Sequence, residues 1–282
     1  MIVAAIAYDL LTPAAKAEAN GLLQLNPDYR RWIAGASDHD RDEIAFVKAA
    51  TWADAIKSKR GYMDDRNKPW RSTYSRSIGY EDKIQHRYWH SVRMPFSPDG
   101  TAVKPSIVPN ALTQIAEFRR TLSSPYASDD AKSYGLTWLL HIVGDLHQPL
   151  HAINRFTASH PEGDIIGNEV WVCISTCDAG STRLHRYWDY VLGDGYSAQA
   201  AIEAAAKFER APESEAAIAD EVAWAQESFE AAKTYAYADP IGQGSGPYAL
   251  TEGYKSAARK IAQQRAALAG ARLANLLNGA LP

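Results

Sequence analysis

Two histidine–aspartate pairs with the same spacing are the groups most suited to metal chemistry. His141 and Asp145 lie four residues apart, and His185 and Asp189 repeat this spacing in the segment LHRYWD. On a helix, residues four apart project from one face, one turn apart, so each pair can offer an imidazole nitrogen and a carboxylate oxygen to one ion. A single pair would equally fit a buried helix with satisfied polar groups, but the second pair favours metal binding.

The first pair is expected on a helix over residues 130–148. Ser128 or Asp129 can cap its N-terminus, because short polar side chains accept hydrogen bonds from the first free backbone N–H groups. Pro149 should end the helix, since proline has no N–H to donate and clashes with the preceding turn. His151 then leaves the helix in a new direction, which suits a second, neighbouring metal ion.

Capping residues and apolar spacing predict a mainly α-helical fold, one domain over residues 1–282. The segment 155–182 differs, because apolar and polar residues alternate there, with Val170, Val172 and Ile174 on one face. Such alternation predicts a short strand or β-hairpin excursion. The other predicted helices cover residues 2–11, 13–25, 41–59, 109–122, 184–192, 197–210, 213–238 and 250–277, the last ending at Asn278-Gly279.

The composition excludes several classes of protein. The chain has 282 residues, of which 46% are hydrophobic and 22% charged, as in an ordinary soluble globular protein. The sequence contains no apolar run long enough to span a bilayer. The net charge of -3 gives no basic footprint for nucleic acid, so a phosphate-binding role would need positive charge from bound metal.

The chain has two cysteines, Cys173 and Cys177, which are four residues apart. They can form a small-loop disulfide in an oxidising compartment or remain reduced thiols. We favour the disulfide. Metal binding by these thiolates is disfavoured because no third or fourth soft ligand lies nearby in the sequence.

Ordered short blocks of the sequence resemble the zinc-dependent single-strand-specific nucleases of fungi, plants and bacteria. These enzymes share their helical fold with the bacterial zinc phospholipases C. The resemblance covers essentially the whole chain, including the last predicted helix. The blocks are ATWAD ending in Asp54, YWH ending in His90, WLLHIVGDLHQPLHA, GDIIGN and LHRYWD.

The resemblance implies two zinc ions in this chain and a third in the family. In the family, an N-terminal Trp and a nearby His hold the third ion, which the counterpart of Asp145 also contacts. This sequence has neither residue ahead of Ile2, so either the ligand segment is missing from it or the third site is lost. One zinc would take Asp54, His90, His141 and Asp145, and the other His151, His185 and Asp189.

Further roles follow from the same resemblance. It implies catalytic roles for Asp54, Lys57 and Asn168, and substrate binding by Lys57, Asp164 and Asn168. The sequence departs from the family at Ser91, where an aromatic base-stacking residue is expected. We expect His147 to be a supporting residue rather than a metal ligand, because its side chain lies about 200° around the helix from that of Asp145.

The expected function is therefore a zinc-dependent endonuclease that hydrolyses single-stranded DNA and RNA to 5′-phosphorylated products with metal-activated hydroxide. The alternatives are a zinc phospholipase C on the same fold, or a zinc-binding but inactive truncated form. The resemblance implies a periplasmic or secreted protein. No obligate protein partner is evident from the sequence.

Overall fold

The computed structural model describes residues 1–66, 79–195 and 197–281. Within those ranges the chain is mainly helical with only small sheets, which confirms the expected fold class. Each predicted helix is present, although several are shorter or divided. The α-helices are α1 Ile2–Leu10, α2 Pro13–Leu23, α3 Tyr29–Trp32, α4 Arg41–Ala49, α5 Trp52–Ala55, α6 Ala111–Ser123, α7 Asp129–His147, α8 Leu184–Asp189, α9 Ala198–Ala205, α10 Glu213–Ala216, α11 Glu221–Ala231 and α12 Glu252–Ala280.

Helix α7 is the central element and follows the prediction closely. Ser128 caps it, accepting a hydrogen bond from the Ala131 backbone N–H at 3.3 Å. It ends at His147, and Gln148 is already extended, with ψ 121°, before Pro149 begins a short 3-10 turn at 149–152. Every residue from Ser133 to Leu140 is buried, as expected for a helix packed among others, whereas His141, Gly144 and Asp145 in the second half are partly exposed.

An aromatic core holds the segments that carry two of the metal-ligand candidates. Trp52 and Trp89 are almost fully buried and pack against Trp138 of α7, with ring centroids 6.0 and 5.0 Å apart. Asp54 lies two residues after Trp52, and His90 directly follows Trp89 in the 3-10 turn at 87–90. Their packing in the core places both candidates against α7.

In the described part of the chain, five short strands form two small sheets. Strand β1, Met94–Phe96, pairs in parallel with β2, Ile153–Arg155. Strand β3, Trp171–Cys173, pairs antiparallel with β4, Thr182–Arg183, and so confirms the predicted hairpin excursion. The same β3 also pairs in parallel with β5, Tyr248–Ala249, a long-range contact that local alternation cannot predict.

The Cys173–Cys177 disulfide is present and explains one error in the predicted hairpin. Ile174 was expected on the same face as Val170 and Val172, which are both fully buried. Instead, β3 ends at Cys173, the disulfide closes a turn immediately afterwards, and the Ile174 side chain is 51% exposed.

Two predicted helices are divided in the structure. The segment 41–59 breaks after α4, where the Thr51 hydroxyl donates to the Lys48 carbonyl and competes with the helical hydrogen bonds. The segment 213–238 splits into α10, α11 and a π-helical turn at 232–236, because the chain bends between α10 and α11. Apolar periodicity continues across both breaks, which is why the sequence predicted single helices.

The predicted stop at the end of α12 is also wrong. The helix continues through Asn278 and Gly279 to Ala280. Asn278 is used for a tertiary contact instead, since its side chain donates to the Leu10 carbonyl and accepts from the Thr12 N–H, at 3.1 and 2.8 Å. Among the described residues, none of the helices combines the length and the apolar character needed to cross a bilayer.

Candidate metal centre

The residues predicted as metal ligands come together in two groups, and all of them except His90 line one cavity. Within each group, one potential ligand atom per residue lies within 4.8 Å of the others. Helix α7 contributes His141 to the first group and the 3-10 turn after it contributes His151 to the second, so the break at Pro149 separates these two ligand candidates. The first group is Asp54, His90 and His141, and the second is His151, His185 and Asp189.

The first group is tight around its two histidines. The Nδ1 atom of His90 and the Nε2 atom of His141 are 3.0 Å apart. The Asp54 Oδ1 atom lies 3.8 Å from the first of these nitrogens and 3.6 Å from the second. Asp54 also forms an ion pair with Lys57 at 2.6 Å, which places the predicted basic residue beside the group.

The second group is built from α8 and from the turn after α7. The Asp189 carboxylate lies 3.5 Å from the Nε2 atom of His151 and 3.4 Å from the Nε2 atom of His185. His185 and Asp189 are one helical turn apart on α8, as their spacing predicted. Gln148 donates a hydrogen bond to Asp189 at 2.8 Å and so fixes the orientation of this carboxylate.

Asp145 lies between the two groups. One of its carboxylate oxygens is 2.9 Å from His90 and 3.0 Å from His141, and the same oxygen is 3.7 Å from the His151 ring. Although burial alone would raise the pKa of Asp145, the positive charges of His141 and His151 hold it well below its usual range. Asp145 is therefore an anion that faces both groups.

Backbone carbonyls orient three of the four histidines. The Nδ1 atoms of His141, His151 and His185 donate to the carbonyls of residues 50, 90 and 166, at 2.7, 2.6 and 2.8 Å. This leaves each Nε2 atom directed at the candidate site, which is the usual arrangement of metal-bound imidazoles. His90 is turned the other way: its Nδ1 atom faces the site and its buried Nε2 atom has no hydrogen-bond partner within the described residues.

The donor set and spacing fit zinc. Two ligand atoms bound to one tetrahedral zinc ion at about 2.0–2.1 Å lie roughly 3.3 Å apart. The nitrogen–oxygen separations are 2.9–3.8 Å in and around the first group and 3.4–3.5 Å in the second. Imidazole with carboxylate, without thiolate, is also the ligand composition of hydrolytic rather than structural zinc sites.

The cavity beside these groups has a volume of about 430 Å³. Lys57, for which the resemblance implies substrate binding, is one of its lining residues. Gln148 and Arg265 line it too, and neither was predicted from the sequence. Gln148 could have been noticed from its position between the ligand candidates, whereas Arg265 has no local signal because α12 brings it from more than 100 residues away.

Asp164 and Asn168 lie behind His185 rather than on the cavity wall as the described residues define it. Asp164 is fully buried and accepts hydrogen bonds from the backbone N–H groups of Arg155 and Gly167. Tyr237 donates to its other oxygen at 2.7 Å. These bonds fix the loop whose residue 166 carbonyl orients His185, while the Asn168 amide donates to residue 165 within that loop.

The remaining histidines have structural partners or are exposed. His147 is buried, and Arg272 donates to its Nε2 atom at 3.0 Å. His86 lies in a loop, where it is buried, pairs with Asp82 at 2.6 Å and stacks on a tryptophan. His160 is likewise a buried loop residue that pairs with Ser245.

Position 91 offers no aromatic ring. Ser91 is buried, and its hydroxyl accepts a hydrogen bond from the Arg93 side chain at 3.2 Å. The aromatic base-stacking residue that the resemblance led us to expect here is therefore replaced by a buried serine, which offers no surface for stacking.

Comparison with known proteins agrees with the geometry. Among proteins with curated functions, none matches this sequence. The family model described as S1/P1 nuclease matches residues 1–282, the whole of the chain. This match spans both histidine–aspartate groups, the disulfide and the last helix. The chain therefore belongs to the S1/P1 nuclease family.

Proposed function

We propose that this protein is a zinc-dependent endonuclease that hydrolyses single-stranded DNA and RNA to products with 5′-phosphate ends. The observation that carries the proposal is the meeting of two histidine–aspartate groups around one carboxylate, Asp145, whose side chain is only 16% exposed and which lines a shared cavity. Metal ions a few ångströms apart, with a carboxylate between them, are typical of phosphodiester hydrolysis. The family membership supports the same reaction class.

Zinc, when bound, would supply Lewis acidity and water of lowered pKa. The role of the protein side chains is to hold and orient. His141, His151 and His185 present their Nε2 atoms because backbone carbonyls fix their tautomers. Lys57 adds a positive charge on the cavity wall, 2.6 Å from Asp54, where a phosphate oxygen can be bound.

The depth of the site favours single strands. The ligand candidates on α7 and the 87–90 turn are buried, with side chains only 5% exposed at His90 and 9% at His141. A phosphodiester must enter the cavity to reach them, and a base-paired, stacked duplex resists the local bending which that entry needs. The net charge of -3 also gives the protein no overall positive charge that would recruit duplex DNA.

The disulfide supports a proposal about location. Disulfides persist in oxidising compartments such as the periplasm or the extracellular space. The Cys173–Cys177 bridge closes the turn after β3, so it belongs to the folded protein. We infer a periplasmic or secreted protein, in which residues 1–282 form one nuclease domain.

A side-by-side assay tests the proposed function. Heat-denatured DNA, RNA, duplex DNA and a choline phospholipid are incubated with the protein, with zinc and with chelator. Zinc-dependent cleavage of the single strands, faster than cleavage of duplex, with 5′-phosphate ends, is the expected result. Hydrolysis of the phospholipid alone would point to a phospholipase C, and no turnover of any substrate with zinc bound would point to a binding protein.

A further inference from the structure

A second, smaller cavity adjoins the metal cavity. It has a volume of about 290 Å³ and lies between α8 and the start of α12. Tyr190 and Val191 line both cavities, so they form the ridge that separates the two. Tyr190 directly follows Asp189, a metal-ligand candidate, and α8 ends at that point.

Tyr190 presents an aromatic surface on this ridge. The residue is 44% exposed, whereas the other aromatic side chain on the lining of the metal cavity, Trp188, is buried. Arg186, one helical turn earlier, places its guanidinium 4.6 Å from the centre of the Tyr190 ring. An arginine over a ring holds that ring in place, and the exposed part of the ring is left available for a planar ligand.

The smaller cavity is cationic. Its lining includes Arg186, Arg259 and Lys255. Lys255 is already paired with Glu252, and Asp194 adds one negative charge to the lining. Neither arginine makes an ion pair within residues 1–66, 79–195 and 197–281, so a positive excess remains for an anionic ligand.

We propose that Tyr190, Arg186 and Arg259 form a subsite for the nucleotide next to the one cut, with the base stacked on Tyr190 and the phosphate held by the arginines. This inference rests on the proposed nuclease function and deepens it. An aromatic ring beside positive charge is the combination that binds single strands without sequence preference. The ridge position means that a strand lying across Tyr190 reaches the metal cavity on one side and the cationic cavity on the other.

The subsite would also supply an aromatic ring for base stacking, which position 91 lacks. That position offers only a buried serine hydroxyl, so stacking at the ridge would replace stacking at that place. A flexible single strand can place one base on Tyr190 while its phosphodiester turns into the cavity. The bases of a duplex are already paired and stacked, so the subsite adds to the preference for single strands.

Kinetics with two substrates test the subsite. The zinc-loaded protein and its Tyr190→Ala and Tyr190→Phe variants are assayed on an oligothymidylate and on methyl p-nitrophenyl phosphate, a diester that is too small to cross the ridge. For Tyr190→Ala, we expect the kcat/KM ratio between oligonucleotide and small diester to fall about tenfold, mostly through KM, since base stacking is lost. Tyr190→Phe keeps the ring and should restore the ratio.

The contribution of the two arginines is tested by the salt dependence of oligonucleotide binding. Each phosphate contact to a single strand contributes roughly 0.7 to the slope of log affinity against log salt. The Arg186→Ala/Arg259→Ala double variant should therefore show a slope shallower by up to about 1.4 for the oligonucleotide. Two variants serve as matched controls: Tyr126→Ala, at a tyrosine that is 96% exposed and distant from the ridge, and Lys260→Ala, at the residue after Arg259. Both should leave the kcat/KM ratio and the salt slope unchanged.

A binding measurement separates this inference from the proposed function. The affinity of a fluorescent phosphorothioate oligothymidylate is measured for each variant, with zinc content and thermal melting as checks on folding. Wild-type cleavage together with unchanged ratios, slopes and affinities in the variants would overturn the subsite and leave the nuclease intact. Binding that depends on Tyr190 without any cleavage would overturn the nuclease and leave the subsite.

Discussion

His147 and Arg272 form a buried hydrogen bond that joins the central helix to the last one. The Arg272 guanidinium donates to the His147 Nε2 atom at 3.0 Å, while the His147 Nδ1 atom donates to the Val143 carbonyl at 2.8 Å. Burial, and then the positive charge of Arg265, holds the pKa of His147 well below its usual range. The ring is therefore neutral and serves as a strut between α7 and α12, two residues from Asp145.

The structural role of His147 and the proposed metal-binding role of His141 can be distinguished by mutation. His141→Ala should reduce activity by several orders of magnitude, because it removes a nitrogen that faces Asp145. His147→Ala should cost about 1–3 kcal/mol of stability, since Arg272 loses a buried acceptor, and activity should fall by at most about 10–100-fold. Steady-state kinetics and chemical denaturation check both, with exposed His39→Ala as the control. Equal loss of activity in the two variants, with intact folding, would contradict this assignment.

The number of zinc ions bound per chain should depend on how many of the two ligand groups are complete. We expect at least two zinc ions per chain after dialysis against trace zinc, and loss of activity on chelation. His185→Ala should remove about one ion, because the second group loses a nitrogen while the first group remains complete. Elemental analysis of the two proteins measures the difference. A wild-type content below one zinc per chain would rule out the proposed centre.

Protonation of His151 should couple metal binding to pH. Burial alone would lower its pKa, but the charges of Asp145 and Asp189 outweigh burial and raise the pKa to about 9 in the metal-free protein. A raised pKa stabilises the fold below the unfolded value of about 6.5, and that stability is lost as pH rises towards 9. Metal-free protein should therefore melt at lower temperature at pH 9 than at pH 6.5.

The same proton must leave when metal binds, because only neutral imidazole is a ligand. Calorimetry of zinc binding at pH 7 in buffers of different ionisation enthalpy should show proton release, and the affinity should rise with pH. His151→Gln is the control, since glutamine does not titrate. If this variant releases as many protons as the wild type, the proton comes from another group.

Tyr237 should support the site from a distance. Burial, and then the charge of Asp164, raises the pKa of Tyr237 well above its usual value, so the phenol stays a hydrogen-bond donor at neutral pH. Tyr237→Phe leaves a buried carboxylate oxygen without this donor, and should cost about 1–3 kcal/mol. Thermal denaturation measures the loss, with Tyr126→Phe as a surface control. A variant as stable as the wild type would show that Asp164 finds another partner.

The sequence was sufficient where local signals agree. Ser128, the apolar run of α7 and Pro149 predicted the central helix to within one residue at each end, because capping and helix breaking act over a few residues. The spacing of His185 and Asp189 likewise predicted a shared helix face. All seven predicted ligands lie together in the structure, although metal binding by them stays a prediction.

What the sequence could not supply depends on distant contacts. The parallel pairing of β3 with β5 joins positions 172 and 248, and no local period carries that information. Arg265 reaches the cavity because α12 packs on α7, and Tyr190 becomes a ridge only because a second cavity opens behind it. The break at Thr51 was missed because apolar spacing continues across it, and the hydrogen bond from the Thr51 hydroxyl to the Lys48 carbonyl leaves no signal in that spacing.

Position 270 must be glycine for helices α1 and α12 to pack as they do. A Cβ atom added there would lie 2.6 Å from the Cβ atom of Ile6 and 3.0 Å from the Val3 carbonyl, so α1 can pack against α12 at this depth only because position 270 has no side chain. Helix α1 also places Val3 on the lining of the metal cavity. Even alanine at position 270 would therefore move a wall of the metal cavity, although residue 270 touches none of the metal-ligand candidates.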